Sequence, residues 1–140
     1  MERSGCTVTE FFIDMIPPTS THQERGCTIV NGKRKYYDRS NGAARQKLKA
    51  FLALHRPKEP AQGAVQLIVK WCFPVKGKHI NGEPYINKPD VDNLCKALLD
   101  VMTELGFWKD DSKVYSLVCE KFWATRPGLY IKITDGMYIV

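Results

Sequence analysis

The length, composition and charge of the chain narrow what it can be. Its 140 residues fit one domain built on a single core. An apolar fraction of 44% and a charged fraction of 26% exclude a chain that is disordered, collagenous or coiled-coil throughout. The apolar stretches are shorter than the ~18 residues of a membrane helix, and the first residues do not resemble a secretory signal. We therefore expect a cytoplasmic protein with no membrane partner.

A strand and a hairpin are predicted first. Apolar residues alternate with polar ones over 7–16 and stop at two prolines, which indicates a strand. Segments 27–30 and 34–37 are joined by Asn31 and Gly32, residue types that supply the positive φ values of a type I′ turn. These two segments are therefore predicted to pair as a hairpin.

A helix, a strand and a long loop follow. Ser40 or Asn41 is predicted to cap a helix that ends before Pro57. Apolar residues alternate over 65–73, which is the strongest strand pattern in the chain. Segment 75–88 contains glycines and lysines and is long enough for a functional loop.

The last third predicts a second helix and two strands. The helix runs from Asp90 to Leu105 and is closed by Gly106 in the position that favours a left-handed cap. Segments 114–124 and 129–134 are predicted to pair as a hairpin. The fold class that follows is α+β: two layers, with two main helices packed on a mostly antiparallel mixed β-sheet.

The cysteines and histidines indicate no metal or disulfide framework. Five cysteines are an odd number, and none belongs to a C-x-x-C pair, so we expect reduced thiols. The three histidines lack the spacing of zinc ligands.

The charge is unevenly distributed. The chain carries a net charge of +6, with nine basic against two acidic residues in 30–59 and six acidic against two basic in 90–111. An acidic segment between basic ones fits a polyanion held over a bound cation. A solvated helix face beside a basic surface fits the same counts, and charge alone does not separate the two.

The second predicted helix has one apolar face. At 100° per residue this face consists of Val91, Leu94, Cys95, Leu98, Met102 and Leu105. Asp92, Lys96 and Asp100 form a row at its edge.

Each charged residue of this region also has an ordinary structural role. Asp90 can be an N-cap, and Asp92 with Lys96 can be an ion pair across one helical turn. Asp110 and Asp111 can form a turn before a strand.

The carboxylates together suggest a metal site. If the chain folds back after the helix, Asp111 approaches Asp90 and Asp92. Two carboxylates ~4 Å apart repel by on the order of 4 kcal/mol at an effective dielectric near 20, so a cluster of them needs a cation. Oxygen ligands favour Mg²⁺, with Mn²⁺ as a substitute, and such a site can hydrolyse a phosphodiester. Lys96 could donate to the phosphate as charge builds in the transition state.

Basic residues outside this region are candidates for phosphate contacts. They are Lys33, Arg34, Lys35, Lys76, Lys78 and Lys88. If they bind DNA, affinity should fall as salt rises.

One stretch combines two acidic motifs. It contains Lys88-Pro89-Asp90, Asp92-Asn93-Leu94, Lys96 and Asp100, followed by Gly106-Phe107-Trp108 and Asp110-Asp111. In this combination the chain resembles the RusA-type Holliday junction resolvases, which are often found in prophages. The close match covers residues 88–114, and the remainder agrees more loosely.

The resemblance implies a RusA-like fold and a homodimeric, Mg²⁺-dependent endonuclease of DNA recombination and repair that nicks opposed strands of four-way DNA junctions. It assigns catalysis to Asp90, Asp92 and Asp111 and the essential lysine to Lys96. The same three aspartates, together with Asp110, would hold the metal.

Two other functions are compatible with parts of the sequence. A non-catalytic nucleic-acid-binding module would explain the basic segments, but not an acidic segment among them. A Mg²⁺-dependent hydrolase of nucleotides would need a nucleotide pocket, and the sequence has no glycine-rich phosphate loop.

Overall fold

The computed structural model describes residues 2–19, 25–38 and 41–139. The strands and helices in these ranges are β1 (Glu2–Ile13), β2 (Arg25–Val30), β3 (Lys33–Asp38), α1 (Asn41–Ala53), β4 (Val65–Pro74), α2 (Val91–Glu104), β5 (Val114–Ala124) and β6 (Gly128–Ile139). A short 3-10 helix, Asp111–Lys113, precedes β5. None of the described helices is long and apolar enough to cross a membrane.

Four strands form one mixed sheet in the order β1-β6-β4-β5. β4 and β5 are parallel, whereas β6 is antiparallel to both of its neighbours, β1 and β4. β2 and β3 form a separate two-stranded antiparallel sheet. The predicted α+β class and the mostly antiparallel mixed sheet are thus confirmed.

The predicted hairpin between the last two strands is wrong. β5 and β6 do not pair, because β4 lies between them. The helix α2 connects β4 to β5, and such a crossover joins parallel neighbours. After Thr125, the chain passes the end of β4. β6 then pairs with the side of β4 that faces away from β5, beginning opposite Cys72. The strand with the strongest apolar alternation therefore takes a central position with a partner on each side.

The core lies between one face of the sheet and the two helices. Alternate residues of β4 are buried, and the central ones are Leu67, Val69 and Trp71. α2 buries Leu94, Cys95, Leu98, Val101 and Met102 on this face. The predicted apolar face of α2 is therefore largely confirmed, although Val91 at its first position is 38% exposed.

Both predicted glycine turns are present. Asn31 and Gly32 have φ values of 52° and 76°, as a type I′ turn requires, and Gly106 after α2 has a φ of 84°. Ser40, one of the two predicted caps of α1, lies outside the described residues. α1 ends at Ala53, and His55 stacks on Phe11 at 4.2 Å.

The expectation of reduced thiols is wrong for one pair. Cys95 of α2 and Cys119 of β5 form a disulfide with their Cα atoms 6.6 Å apart. They are 24 residues apart in sequence and meet because α2 packs against the parallel strand that follows it. Cys6 and Cys72 are free.

Candidate functional site

Asp90 occupies the N-cap position of α2 without capping the helix through its side chain. Its backbone is extended, with φ −68° and ψ 146°, and the side chain makes no capping hydrogen bond. Only the main chain contributes, because the Asp90 carbonyl accepts from the Leu94 N–H at 3.2 Å. The exposed carboxylate is therefore not used by the helix.

Asp92 and Lys96 are also exposed on α2. Among the described side chains, no ion pair within 4.0 Å joins them, although one helical turn separates them. The ordinary roles expected for Asp90 and Asp92 are thus absent from this structure. Both carboxylates and the ammonium group face solvent at one end of α2.

Lys121 of β5 fixes the chain just before Asp90. Its Nζ donates to the carbonyl oxygens of Asn87 and Pro89, at 2.8 and 2.7 Å. Cys119 Sγ lies 3.7 Å from the Val91 carbonyl oxygen, and the disulfide to Cys95 follows on the next turn of α2. The beginning of α2 is therefore held against the second half of β5.

Aromatic stacking holds segment 75–88 against the same end of the sheet. Tyr85 stacks on Phe73 with ring centroids 3.9 Å apart, and His79 stacks on Trp123 at 4.0 Å. The main chain of this segment also pairs with β5, because Trp123 N–H donates to the Glu83 carbonyl at 2.8 Å. The loop predicted from sequence is an anchored segment beside Asp90.

Asp110 and Asp111 lie at the other end of α2. Phe107 and Trp108 are buried immediately before them, and Trp108 Nε1 donates to Thr103 Oγ1 at 2.8 Å. These two aromatic residues turn the chain from α2 toward β5. The Asp110 side chain then accepts from the Ser112 N–H at 3.3 Å and caps the 3-10 helix, which forms the turn that was expected before a strand.

The two neighbouring carboxyl groups perturb each other. The hydrogen bond from the Ser112 backbone N–H is the main cause that lowers the pKa of Asp110. The pKa of Asp111 is raised, first by the side-chain hydrogen bond with Asp110, then by burial, and then by repulsion from Asp110 and Asp100. Negative charge therefore accumulates where the C-terminal half of α2 meets the start of β5.

Within a single chain the predicted metal ligands do not lie close together. α2 runs antiparallel to β5, so Asp90 and Asp92 lie beside the second half of that strand, whereas Asp111 precedes its first residue. Asp92 and Asp100 are about 12 Å apart along the helix axis, at 1.5 Å rise per residue. Within the described ranges, no three His, Cys, Asp or Glu side chains come close enough together to hold a metal.

The candidate phosphate-binding residues fall into two groups. Lys76, Lys78 and Lys88 are exposed on the anchored segment next to Asp90. Lys33 and Arg34 are exposed on the β2–β3 hairpin, and the Lys35 side chain lies outside the described residues. The first group therefore shares one end of the molecule with Asp90, Asp92 and Lys96.

The sequence reasoning did not single out Lys121. Its position in an apolar strand was the available signal, because a lysine there needs polar partners for its ammonium group. The structure supplies them in the two carbonyl groups that precede α2.

The sequence model of the family Endodeoxyribonuclease RusA matches residues 15–134. The chain therefore belongs to the RusA family of endodeoxyribonucleases. It is 35% identical over 128 residues to the crossover junction endodeoxyribonuclease rusA of Lactococcus phage r1t, a match that covers 90% of this chain and 95% of the phage protein. An uncharacterised Bacillus subtilis protein, YqaN, is 31% identical over 130 residues, covering 84% of this chain and 90% of YqaN. The crossover junction endodeoxyribonuclease RusA of Escherichia coli K12 is 37% identical over 65 residues, 46% of this chain and 54% of that protein.

Proposed function

We propose that the protein resolves four-way DNA junctions by hydrolysing a phosphodiester in each of two opposed strands, with Mg²⁺ as cofactor. The observation that carries the proposal is a pair of exposed carboxylates, Asp90 and Asp92, beside an anchored segment with three exposed lysines. Among the described residues neither carboxylate makes a capping hydrogen bond or an ion pair. Membership of the RusA family supports the reaction class. We expect it to act in the cytoplasm, where bacterial and phage DNA is processed.

The donor groups fit a hard divalent cation. Asp90 and Asp92 offer oxygen ligands, and Mg²⁺ is commonly held by one or two carboxylates and completed by water and substrate phosphate. Asp111, with Asp110 beside it, would supply the remaining negative charge. When bound, the ion would polarise the scissile phosphate and lower the pKa of a water molecule.

The chain's own residues then have separable roles. Asp90 and Asp92 would hold the cation and orient the attacking water for in-line attack. Lys96, one turn beyond Asp92, would donate to the phosphate oxygens as negative charge builds in the transition state. Lys88 would hold the neighbouring phosphate of the same strand.

A homodimer would complete the site that one chain leaves divided. The outer edge of β5 is paired only near Phe122, by Pro84, in the described part of the chain. Along the rest of this edge, Tyr115 is 63% and Leu117 41% exposed. An open edge of this kind can pair with the same edge of a second copy.

Antiparallel pairing of two β5 edges would join the two acidic groups. A two-fold axis through Tyr115, in the part of this edge that segment 75–88 leaves open, would place the start of one strand beside the middle of the other. Asp111 of one copy would then lie near Cys119 of the second copy, where α2 begins with Asp90 and Asp92. Two such sites related by a two-fold axis suit two opposed strands of a junction.

The deciding experiment offers the protein a synthetic four-way junction and a linear duplex of the same sequences, each with and without Mg²⁺. We expect paired nicks in opposed strands of the junction, only with Mg²⁺, and little cleavage of the duplex. Salt-sensitive binding to both DNAs without cleavage of either would instead favour the non-catalytic binding module. Equal cleavage of junction and duplex would remove junction selectivity from the proposal.

A further inference from the structure

The most exposed large apolar side chain in the described part of the molecule lies close to Asp90. Ile86 is 88% exposed, and Leu54 follows at 80%. A single exposed apolar residue on a surface is ordinary. What distinguishes Ile86 is how firmly the chain on both sides of it is held.

Contacts on each side fix the backbone at Ile86. Before it, the Tyr85 ring stacks on Phe73, and the Tyr85 N–H donates to the Lys121 carbonyl at 3.0 Å. After it, the Asn87 carbonyl accepts from Lys121 Nζ at 2.8 Å. The position of Ile86 relative to Asp90 is therefore set by β5, while its side chain points away from these contacts into solvent.

The surface around this side chain is cationic. Lys76, Lys78 and Lys88 are exposed on the same anchored segment. Proteins that distort DNA commonly combine phosphate-binding cations with an apolar wedge, and isoleucine is among the residues that serve as one. The surface beside Asp90 has both components.

We propose that Ile86 inserts into the branch point of the junction and determines the preference for branched over linear DNA. The inference rests on the proposed function and assigns the source of its selectivity. In a continuous duplex an inserted side chain must break a base stack, which costs free energy. At a branch point strands pass from one stacked arm to another, so the bases there unstack more easily and insertion costs less.

The test compares Ile86→Ala with Leu54→Ala. Leu54 has similar size and exposure but follows α1, next to His55, which with Ala61 and Phe107 lines a cavity near the start of β4. Segment 75–88 follows the end of β4, so the two residues lie at opposite ends of the sheet. A junction with 2-aminopurine at its branch point reports unstacking as a rise in fluorescence, with Ca²⁺ replacing Mg²⁺ to prevent cleavage.

The parental protein and Leu54→Ala should raise the fluorescence. Ile86→Ala should not, and its junction affinity should fall by on the order of tenfold, as expected when burial of one isoleucine side chain is lost, while its duplex affinity stays unchanged. Ile86→Leu, which preserves the apolar volume, should retain the parental behaviour. Thermal melts should agree among all four proteins, since neither position is buried.

Ile86→Ala with parental fluorescence and parental junction preference would overturn this inference and leave the proposed function standing. A parental protein that shows no preference for the junction would overturn both. The two failures are therefore distinguishable within one set of measurements.

Discussion

The acidic side chains around α2 differ in what they already contact. Asp110 caps the 3-10 helix, whereas Asp90 makes no capping hydrogen bond, and no described ion pair engages Asp92. A carboxylate that makes no such contact with the described residues is available to bind a cation, and its replacement is expected to leave stability unchanged. This difference allows catalysis and folding to be tested separately.

Asp92→Asn should abolish cleavage while the protein stays folded. The substitution preserves side-chain shape but removes a charge from the proposed metal site, so nicking should slow by on the order of 100-fold or more. Junction affinity should stay the same or rise, because a charge that repels phosphate is lost. The measurements are a nicking assay in Mg²⁺ and a gel shift in Ca²⁺.

Glu59→Gln is the matched control for that substitution. Glu59 is exposed in the connection between α1 and β4, at the end of the sheet away from Asp92. The Glu59→Gln variant loses one negative charge, as Asp92→Asn does, but at a position away from the proposed metal site. Its cleavage rate and melting temperature should therefore match those of the parent. An Asp92→Asn protein that melts normally and nicks at the parental rate would remove Asp92 from the catalytic site.

Among the elements, segment 75–88 presents its lysines on an anchored backbone. If Lys76, Lys78 and Lys88 each contact a phosphate, each Lys→Ala should flatten the slope of log affinity against log salt by about one unit. Lys58→Ala is the control, since Lys58 is exposed near the start of β4. Fluorescence anisotropy over a range of salt concentrations measures the slopes. Identical slopes for the three variants and Lys58→Ala would place the DNA elsewhere.

The disulfide between α2 and β5 should contribute to stability. It closes a separation of 24 residues, for which the chain-entropy relation gives about 3 kcal/mol of unfolding free energy. Reductant should therefore shift the urea midpoint of the parent downward. Cys119→Ser should show no such shift, and Cys6→Ser should behave as the parent. A parent whose midpoint is independent of reductant would mean that the bond does not stabilise the fold.

For the whole molecule, local patterns predicted the elements better than their pairing. The alternation of β4, the turn at Asn31 and Gly32 and the cap at Gly106 each depend on neighbouring residues, and all are present. The separation of β5 from β6 depends instead on the α2 crossover, which puts β5 parallel to β4. A short turn between two apolar segments does not reveal that another strand lies between them.

The residue types of the candidate site could be predicted from the sequence, but the positions of these residues relative to one another could not. The spacing of Asp90, Asp92 and Lys96 put them on one end of a helix, and the structure has them there. Whether Asp111 joins them depends on the direction of β5 relative to α2, which no local pattern encodes. The Cys95–Cys119 pair was missed for the same reason, since packing of α2 on β5 brings the two together.

A divided site predicts that two inactive variants restore each other. In a mixed dimer of Asp92→Asn and Asp111→Asn, one composite site carries both substitutions and the other carries neither. If the copies associate at random, half of the dimers are mixed and each has one intact site, so activity should reach about a quarter of the parental value in the whole mixture and about half in isolated mixed dimers.

The restored activity should consist of single nicks, because only one strand of each junction meets an intact site. Co-expression with two different affinity tags, followed by sequential purification, isolates the mixed dimers for a nicking assay. The control is a mixed dimer in which one copy carries Asp92→Asn and the other carries both Asp92→Asn and Asp111→Asn. Every site in this control dimer lacks Asp92. Mixed dimers as inactive as this control, although each variant is folded, would show that Asp111 acts within its own chain, and would remove the β5 edge as the means of completing the site.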